Sequence, residues 1–355
     1  MINLYSIRPK GFNIGNDVIY LGINHFIRNA FKENYNVISL PATNKYESQK
    51  KAGITSGTIY EVNQFGHGII IGGGNLYENG ELEINPVAIK ALEKPMMIFS
   101  VSRGKVYNND LVLKDRTDVM TDAKMKLINE KADVSLSRDI ATADHLSSLG
   151  VDNVVGGCPT LFISEIPQHT VPVLKGEETD ALISIRTPSL MSIPITYQYE
   201  LRSQIKEQID VLKEYGYQNI KFLCHDHRDI PFAASFKEID YLYTEDVYTF
   251  LTYLRNTKLN LTYRLHAFIP CLSYGVPTIN ISYDQRANSM LDTLGMNQWN
   301  INLVKDDVKK ELIYRLRNIK DLKEIKKQKK DTWDNLKNRM KDGTDKFVKK
   351  IKEKV

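Results

Sequence analysis

The feature that most constrains this chain lies in residues 259–295, where one pattern runs twice: a short β-prone run, polar residues at its carboxyl end, then a helical pattern closed by glycine. Residues 259–263 form the first run, Arg264, Leu265 and His266 follow, and residues 267–274 read as a mostly apolar helix that Gly275 and Pro277 stop. Residues 278–283 form the second run, Asp284, Gln285 and Arg286 follow, and the second helix ends at Gly295. In open parallel sheets ligands settle outside the carboxyl ends of the strands, where unpaired helix N–H groups carry a partial positive charge. Arg264 and Arg286 add two full charges to a place already suited to an anion.

The same alternation runs along the rest of the chain. Residues 2–7, 37–40, 68–71, 95–101, 133–136 and 153–155 read as strands, with helices over roughly 17–32, 119–131 and 139–149. Residues 48–57 are polar and take no assignment. Residues 164–180 hold two prolines and a charge cluster without periodicity, which marks a linker. Beyond it, residues 181–186 and 219–224 read as strands and 197–215 and 245–255 as helices. A length of 355 residues suits two cores rather than one. The expected fold is α/β, with two Rossmann-like parallel-sheet domains facing each other across a cleft. The first covers 1–163 and the second 181–304, with 164–180 between them and a basic helical tail over 305–355 that is free to cross back to the first domain.

Composition narrows the class. A hydrophobic content of 42% with 26% charged residues is that of a soluble globular protein. The longest apolar runs fall far short of the roughly 20 residues that span a bilayer. The amino terminus does not resemble a secretion signal. Cys158, Cys224 and Cys271 have no metal-type spacing, and an odd count argues against a disulfide framework. A cytoplasmic location is expected. Charge is unevenly placed: residues 305–355 hold 19 Lys and Arg against 10 Asp and Glu, while residues 1–304 carry a net −4. Interleaved acids favour a solvated helical face over attraction to an anionic membrane. Trp333, Leu336, Met340 and Phe347 give the tail an apolar periodicity, so packing on the body and lying on the inner face of a membrane both stay open.

Several strand ends carry candidate chemistry. Asn13, Gly15 and Asp17 open a helix, where Gly15 lets the backbone approach a ligand and Asp17 can serve as a cap. Gly72, Gly73, Gly74 and Asn75 follow a buried strand, and three glycines cost enough chain entropy to suggest close backbone approach. No Gly-Lys-Ser/Thr follows, so this is not a nucleotide P-loop. Arg138 and Arg186 each follow an apolar strand, with a structural pair or a surface position as the plainer alternative. Strand geometry puts His225 and His227 on one side, but no second cluster completes a zinc site, so contacts to a hydroxylated ligand are favoured over a metal. His266 draws most interest. Imidazole titrates near neutrality and moves protons in both directions, and two strand-end arginines flank it.

Together, Asn-Ile-Gly-Asn-Asp at 13–17, Gly-Gly-Gly-Asn at 72–75, Ser-Arg-Asp at 137–139, Arg-Leu-His-Ala at 264–267, Tyr-Gly-Val-Pro at 274–277 and Tyr-Asp-Gln-Arg at 283–286 resemble the polysaccharide pyruvyl transferase family. The resemblance implies the domain arrangement of GT-B glycosyltransferases. It also implies transfer of pyruvate from phosphoenolpyruvate to hydroxyls of a saccharide, free or lipid-linked, giving a ketal in the biosynthesis of a cell-wall or exopolysaccharide. Arg264, Leu265 and His266 would contact phosphoenolpyruvate, Arg138 would bind an anion, and His266 would be the acid/base. No cofactor and no nucleic-acid partner is implied.

Two positions depart from that pattern. Arg286 stands where the family tends to have lysine, keeping the charge but not a readily lost proton, so His266 would carry more of the proton traffic. Residues 100–104 replace a glycine-rich turn, and Arg103 there either adds a cation to the anion site or signals another donor. The rival readings are a GT-B enzyme with a nucleotide-sugar donor, whose diphosphate the same cations would serve, and a sugar-phosphate or lipid-headgroup binding protein without turnover.

Overall fold

The computed structural model describes residues 1–43, 52–78, 80–167 and 171–354. Residues 48–51 of the unassigned polar stretch, 168–170 of the expected linker and the last residue of the tail lie outside the described residues.

The chain forms strands β1 (Ile2–Arg8), β2 (Tyr35–Pro41), β3 (Gly68–Gly74), β4 (Met96–Val101), β5 (Val106–Tyr107), β6 (Leu113–Lys114), β7 (Val134–Ser137) and β8 (Val154–Val155). After residue 180 come β9 (Ala181–Ser184), β10 (Ile220–Cys224), β11 (Tyr241–Tyr243), β12 (Leu259–Thr262), β13 (Thr278–Ser282) and β14 (Asn300–Asn302). Two six-stranded parallel sheets result, ordered β2-β1-β3-β4-β7-β8 and β11-β10-β9-β12-β13-β14. β5 and β6 form a separate antiparallel hairpin.

Period-two burial explains why each sheet is covered on both faces. In the first, Ile70, Met97 and Phe99 meet Ile19, Ile23 and Phe26 of the helix Gly15–Phe31. Ile69, Ile71, Met96 and Ile98 point the other way, onto Ile59 and Val62 of Ser56–Phe65 and Met125 and Ile128 of Asp122–Lys131. In the second, Ile183, Phe222 and Leu261 face Ile205 and Ile209 of Ile195–Glu214, while Leu182 and Leu223 face Phe250 and Leu254 of Val247–Asn256. Each such side chain, fully buried, contributes about 1.5–3 kcal/mol, and the apolar packing on one face of each sheet runs on from one domain into the other.

The tail returns to the first domain. Its long helix, Lys330–Lys352, packs on Gly15–Phe31 and on β7 and β8. Trp333, Leu336, Met340 and Phe347 are buried there, and Trp333 Nε1 donates to the Leu294 carbonyl at 3.1 Å. A Cβ on Gly68 would lie 2.7 Å from Ile351 Cδ1, which shows how close the helix comes. Of the two dispositions left open for the apolar stripe, the structure has the one in which it packs on the body of the protein. No helix among the described residues is long and apolar enough to cross a membrane.

Direct bonds join the domains beside the cleft. Ile14 N donates to the His225 carbonyl at 2.9 Å, and Gln285 N and Lys105 N each donate across the boundary, to Lys105 O and Gln285 Oε1, at 3.0 Å. Ala141 N donates to Ser289 Oγ at 2.9 Å.

Candidate active site

The carboxyl ends of both sheets face one cavity of about 380 Å³. β12 ends at Thr262, whose hydroxyl accepts from Arg264 N at 2.8 Å and turns the chain into the helix Leu265–Tyr274. That helix has no side-chain cap, so its first N–H groups are left for the cavity. β13 leads to Asp284, which caps Gln285–Leu294 by accepting from Ala287 N at 2.9 Å. These two junctions bring Arg264, Leu265, His266 and Arg286 to the cavity wall. The ends of β7 and β9 bring Arg138 and Arg186, and the first domain adds Asn13 and Asn75.

His266 sits where the domains touch. Its Nε2 is buried without a hydrogen-bond partner, and a Cβ on Gly15 would lie 2.6 Å from His266 Cβ and 2.7 Å from Nδ1. The glycine lets the helix Gly15–Phe31 start directly against the imidazole. Burial, then the cations Arg138, Arg264 and Arg286, hold the ring's pKa well below its ordinary value. In the free protein His266 is therefore held neutral, with a ring nitrogen able to accept a proton.

The arginines differ in how far they are committed. Arg138 is 3% exposed, its Nε has no hydrogen-bond partner, and no described carboxylate lies within ion-pair distance. Arg264 reaches Asp229 at 3.4 Å and donates to Asn13 Oδ1 at 3.2 Å, linking the domains. Arg186 lies 3.8 Å from both Asp226 and Asp229, too far for hydrogen bonds, and its Nη1 is left unpaired. Burial, then Arg264, pushes the Arg186 pKa down to about 10. For Arg286 burial is outweighed by Asp284 and Glu78, and its pKa is raised.

Other expected contacts are placed elsewhere. Arg103 pairs with Asp115 at 2.6 Å and does not line the cavity, so its guanidinium is not an anion ligand there. Asp17 pairs with Arg8 at 2.7 Å. Gly72 and Gly73 do permit a close approach, but a Cβ on them would meet Ile23 and Ile19 of the covering helix rather than a ligand. Gly74, at φ +86°, needs glycine for its backbone, and its carbonyl accepts from Ser102 N. β10 stops at Cys224, so strand alternation does not extend over His225 and His227 and they do not share a side. The His225 ring is fully buried, edge-on to Phe250, while His227 stacks edge-on to Phe12 at the surface.

Sequence reasoning missed Arg116 and Arg228, which also line the cavity. Arg116 donates to Asp118 and, across the domains, to Ser192 Oγ at 2.6 Å. Arg228 pairs with Asp226 and lies over the Phe12 ring. Arg116 stands in a loop and Arg228 in a single 3₁₀ turn, both too short for periodicity to carry a signal.

The family model described as polysaccharide pyruvyl transferase matches residues 13–285, a span that includes every cavity arginine except Arg286, one residue beyond its end. The chain belongs to that family. In this polysaccharide pyruvyl transferase family member the matched segment runs from Asn13 to Gln285, the first residue of the helix that Asp284 caps. No curated relative matches the sequence. Solved structures share its GT-B fold at low identity. A Listeria monocytogenes protein provisionally described as a UDP-N-acetylglucosamine 2-epimerase superposes at TM-score 0.58 with 12% identity, covering 94% of this chain and 90% of its own. Methanocaldococcus jannaschii UDP-GlcNAc 2-epimerase, in complex with UDP-GlcNAc and UDP, gives 0.54 and 13%, covering 90% and 92%. S. aureus MnaA with UDP gives 0.55 and 11%, covering 90% and 88%.

Proposed function

We propose that this family member transfers the pyruvyl group of phosphoenolpyruvate to two hydroxyls of one saccharide residue, forming a ketal and releasing phosphate. The observation that carries the reading is the meeting of Arg138, from the first domain, and Arg264, from the second, around a neutral His266 in one cavity. Phosphoenolpyruvate offers a phosphate and a carboxylate, and preorganised guanidinium groups serve both through charge-assisted, bidentate hydrogen bonds.

Electrons and atoms balance as follows. The enol methylene takes a proton and C2 becomes electrophilic. One acceptor hydroxyl adds to C2 and loses its proton to His266, which the cations hold in its basic form. The C2–O bond to phosphate then breaks, the leaving anion stays among the arginines, and the second hydroxyl closes the ketal. Of the two protons lost by the hydroxyls, one balances the new methyl group and one leaves with phosphate. The donor carries the group itself, and the scheme uses no cofactor.

The nucleotide-sugar reading draws on the UDP-bound epimerases of the same fold. Product analysis separates the two. Pure protein incubated with phosphoenolpyruvate and a panel of free and lipid-linked oligosaccharides should release inorganic phosphate and yield a pyruvate-sized mass gain on the glycan. Release of nucleoside diphosphate from a nucleotide sugar, with no phosphate from phosphoenolpyruvate, would sink the proposal.

A further inference from the structure

Behind the cavity, the loop that follows β3 places Glu78 where the mechanism above makes no use of it. Its side chain is fully buried, neither carboxyl oxygen has a hydrogen-bond partner, and its ion-pair partner is Arg286 Nη1 at 3.2 Å. The same guanidinium donates through Nε and Nη2 to Asp284 Oδ2 at 3.1 and 2.5 Å. One cation thus lies between two carboxylates, one from each domain. Packing leaves it little choice, because Gly104 lies so close to Arg286 Cγ that any Cβ would clash.

The arrangement has an electrostatic difficulty once a donor anion arrives. With both carboxylates ionised, the charge of Arg286 is more than cancelled, leaving it little to offer a phosphate or carboxylate in the cavity. A buried ion pair is favourable only when its geometry and hydrogen bonds are good, and Glu78 has no hydrogen bond to offset the loss of water. Asp284 is better held, since Ala287 N and Arg286 both donate to it. Glu78 is therefore the member that gives way.

We propose that Glu78 is a positioning residue for Arg286, anchoring the guanidinium across the domain boundary in the free enzyme and releasing it to the donor anion by taking up a proton. The groups facing Glu78 are Arg286 and Asp284 from the second domain, Arg116 from the segment after β6, and Arg138 at the end of β7. Burial, opposed by Arg286, already raises the Glu78 pKa to about 7, so the proton is available near neutrality. Glu78 would then supply the protonation change that a lysine at the Arg286 position could make by itself. The inference rests on the donor assignment above.

The test is calorimetric titration of the full chain with phosphoenolpyruvate between pH 6.5 and 8.5, in two buffers of different ionisation heat. Wild type should take up protons on binding and lose affinity above neutrality, approaching tenfold per pH unit for one linked proton. Glu78→Gln, a neutral isostere, should lose that slope and close to one proton of uptake, while Glu78→Asp should keep both. His266 faces the same anion, so the readout is the difference between wild type and variant at fixed pH. Equal slope and equal uptake in wild type and Glu78→Gln would overturn the proposal. Should Glu78→Gln fail to fold, Arg286→Gln serves instead: without its nearest cation Glu78 holds its proton to higher pH and takes up less on binding, and unchanged uptake would again be fatal. If wild type binds no phosphoenolpyruvate, the donor assignment falls, and inorganic phosphate titrated in the same way decides the matter. Uptake lost in Glu78→Gln sustains the role of Glu78, and no difference or no binding ends it.

Discussion

Gly15 and His266 meet across the domain boundary with no room between them: a methyl group on the glycine would overlap the imidazole. The orientation of the proposed base is therefore set by a residue of the other domain. Gly15→Ala should displace the ring by about 1 Å, a misplacement that costs on the order of a hundredfold in turnover. Donor affinity should change only a few-fold, since the arginines are untouched. Steady-state kinetics alongside a thermal melt would show whether the loss is catalytic or a loss of folded protein.

Removing the imidazole should separate binding from chemistry. His266→Ala is expected to abolish ketal formation while phosphoenolpyruvate still binds, checked by calorimetry and by phosphate release. Near-normal turnover would remove His266 from the mechanism.

The depressed pKa of His266 gives a signed pH dependence. In the free enzyme the ring is neutral well below the ordinary imidazole value of about 6.5, so the acid limb of kcat/KM should lie below that value. Anion binding neutralises the surrounding cations and raises the pKa, which moves the acid limb of kcat to higher pH. The same shift bears on stability. Between the folded and unfolded pKa values the unfolded chain binds the extra proton, so the contribution of His266 is present above about 6.5 and fades as pH falls toward the folded value. NMR titration of the ring with and without phosphoenolpyruvate measures both; a downward shift on binding would contradict the scheme.

Two buried arginines should respond in opposite ways. Arg138→Met removes a cation without a carboxylate partner from the cavity wall, and should weaken phosphoenolpyruvate binding about ten- to hundredfold, the worth of one or two charged hydrogen bonds. Arg103→Met breaks the pair with Asp115 outside the cavity, and should leave binding within about twofold while lowering the melting temperature. Equal effects of the two on affinity would mean the cavity has been misread.

The tail helix should matter as core. Phe347 is fully buried, and Phe347→Ala should cost about 3–5 kcal/mol in urea unfolding. A cost under about 1 kcal/mol would show that the helix is docked loosely.

Much of this was legible from pattern. The double unit at 259–295 placed Arg264, His266 and Arg286 at strand ends because apolar runs, helix periodicity and glycine stops agree there. What was not legible depends on which surface meets which. Three glycines after β3 signal close approach, but nothing in them distinguishes a ligand from Ile19 and Ile23. Arg103 reads like Arg138, each following an apolar strand, until Asp115 claims it. His225 and His227 were grouped by an alternation that ends one residue too early. Arg116, Arg228 and Glu78 come from loops or a single turn, where position is decided by the other domain and leaves no periodic trace.

The return of Lys330–Lys352 means that the polypeptide passes between the lobes twice, once before β9 and once near Trp333. Two tethers define an axis where a single one would allow free swivel. Rotation about that line has to break only the bonds beside the cleft, Ile14 to His225 and Lys105 to Gln285 among them, whereas a twist of one lobe over the other must bend both passages as well.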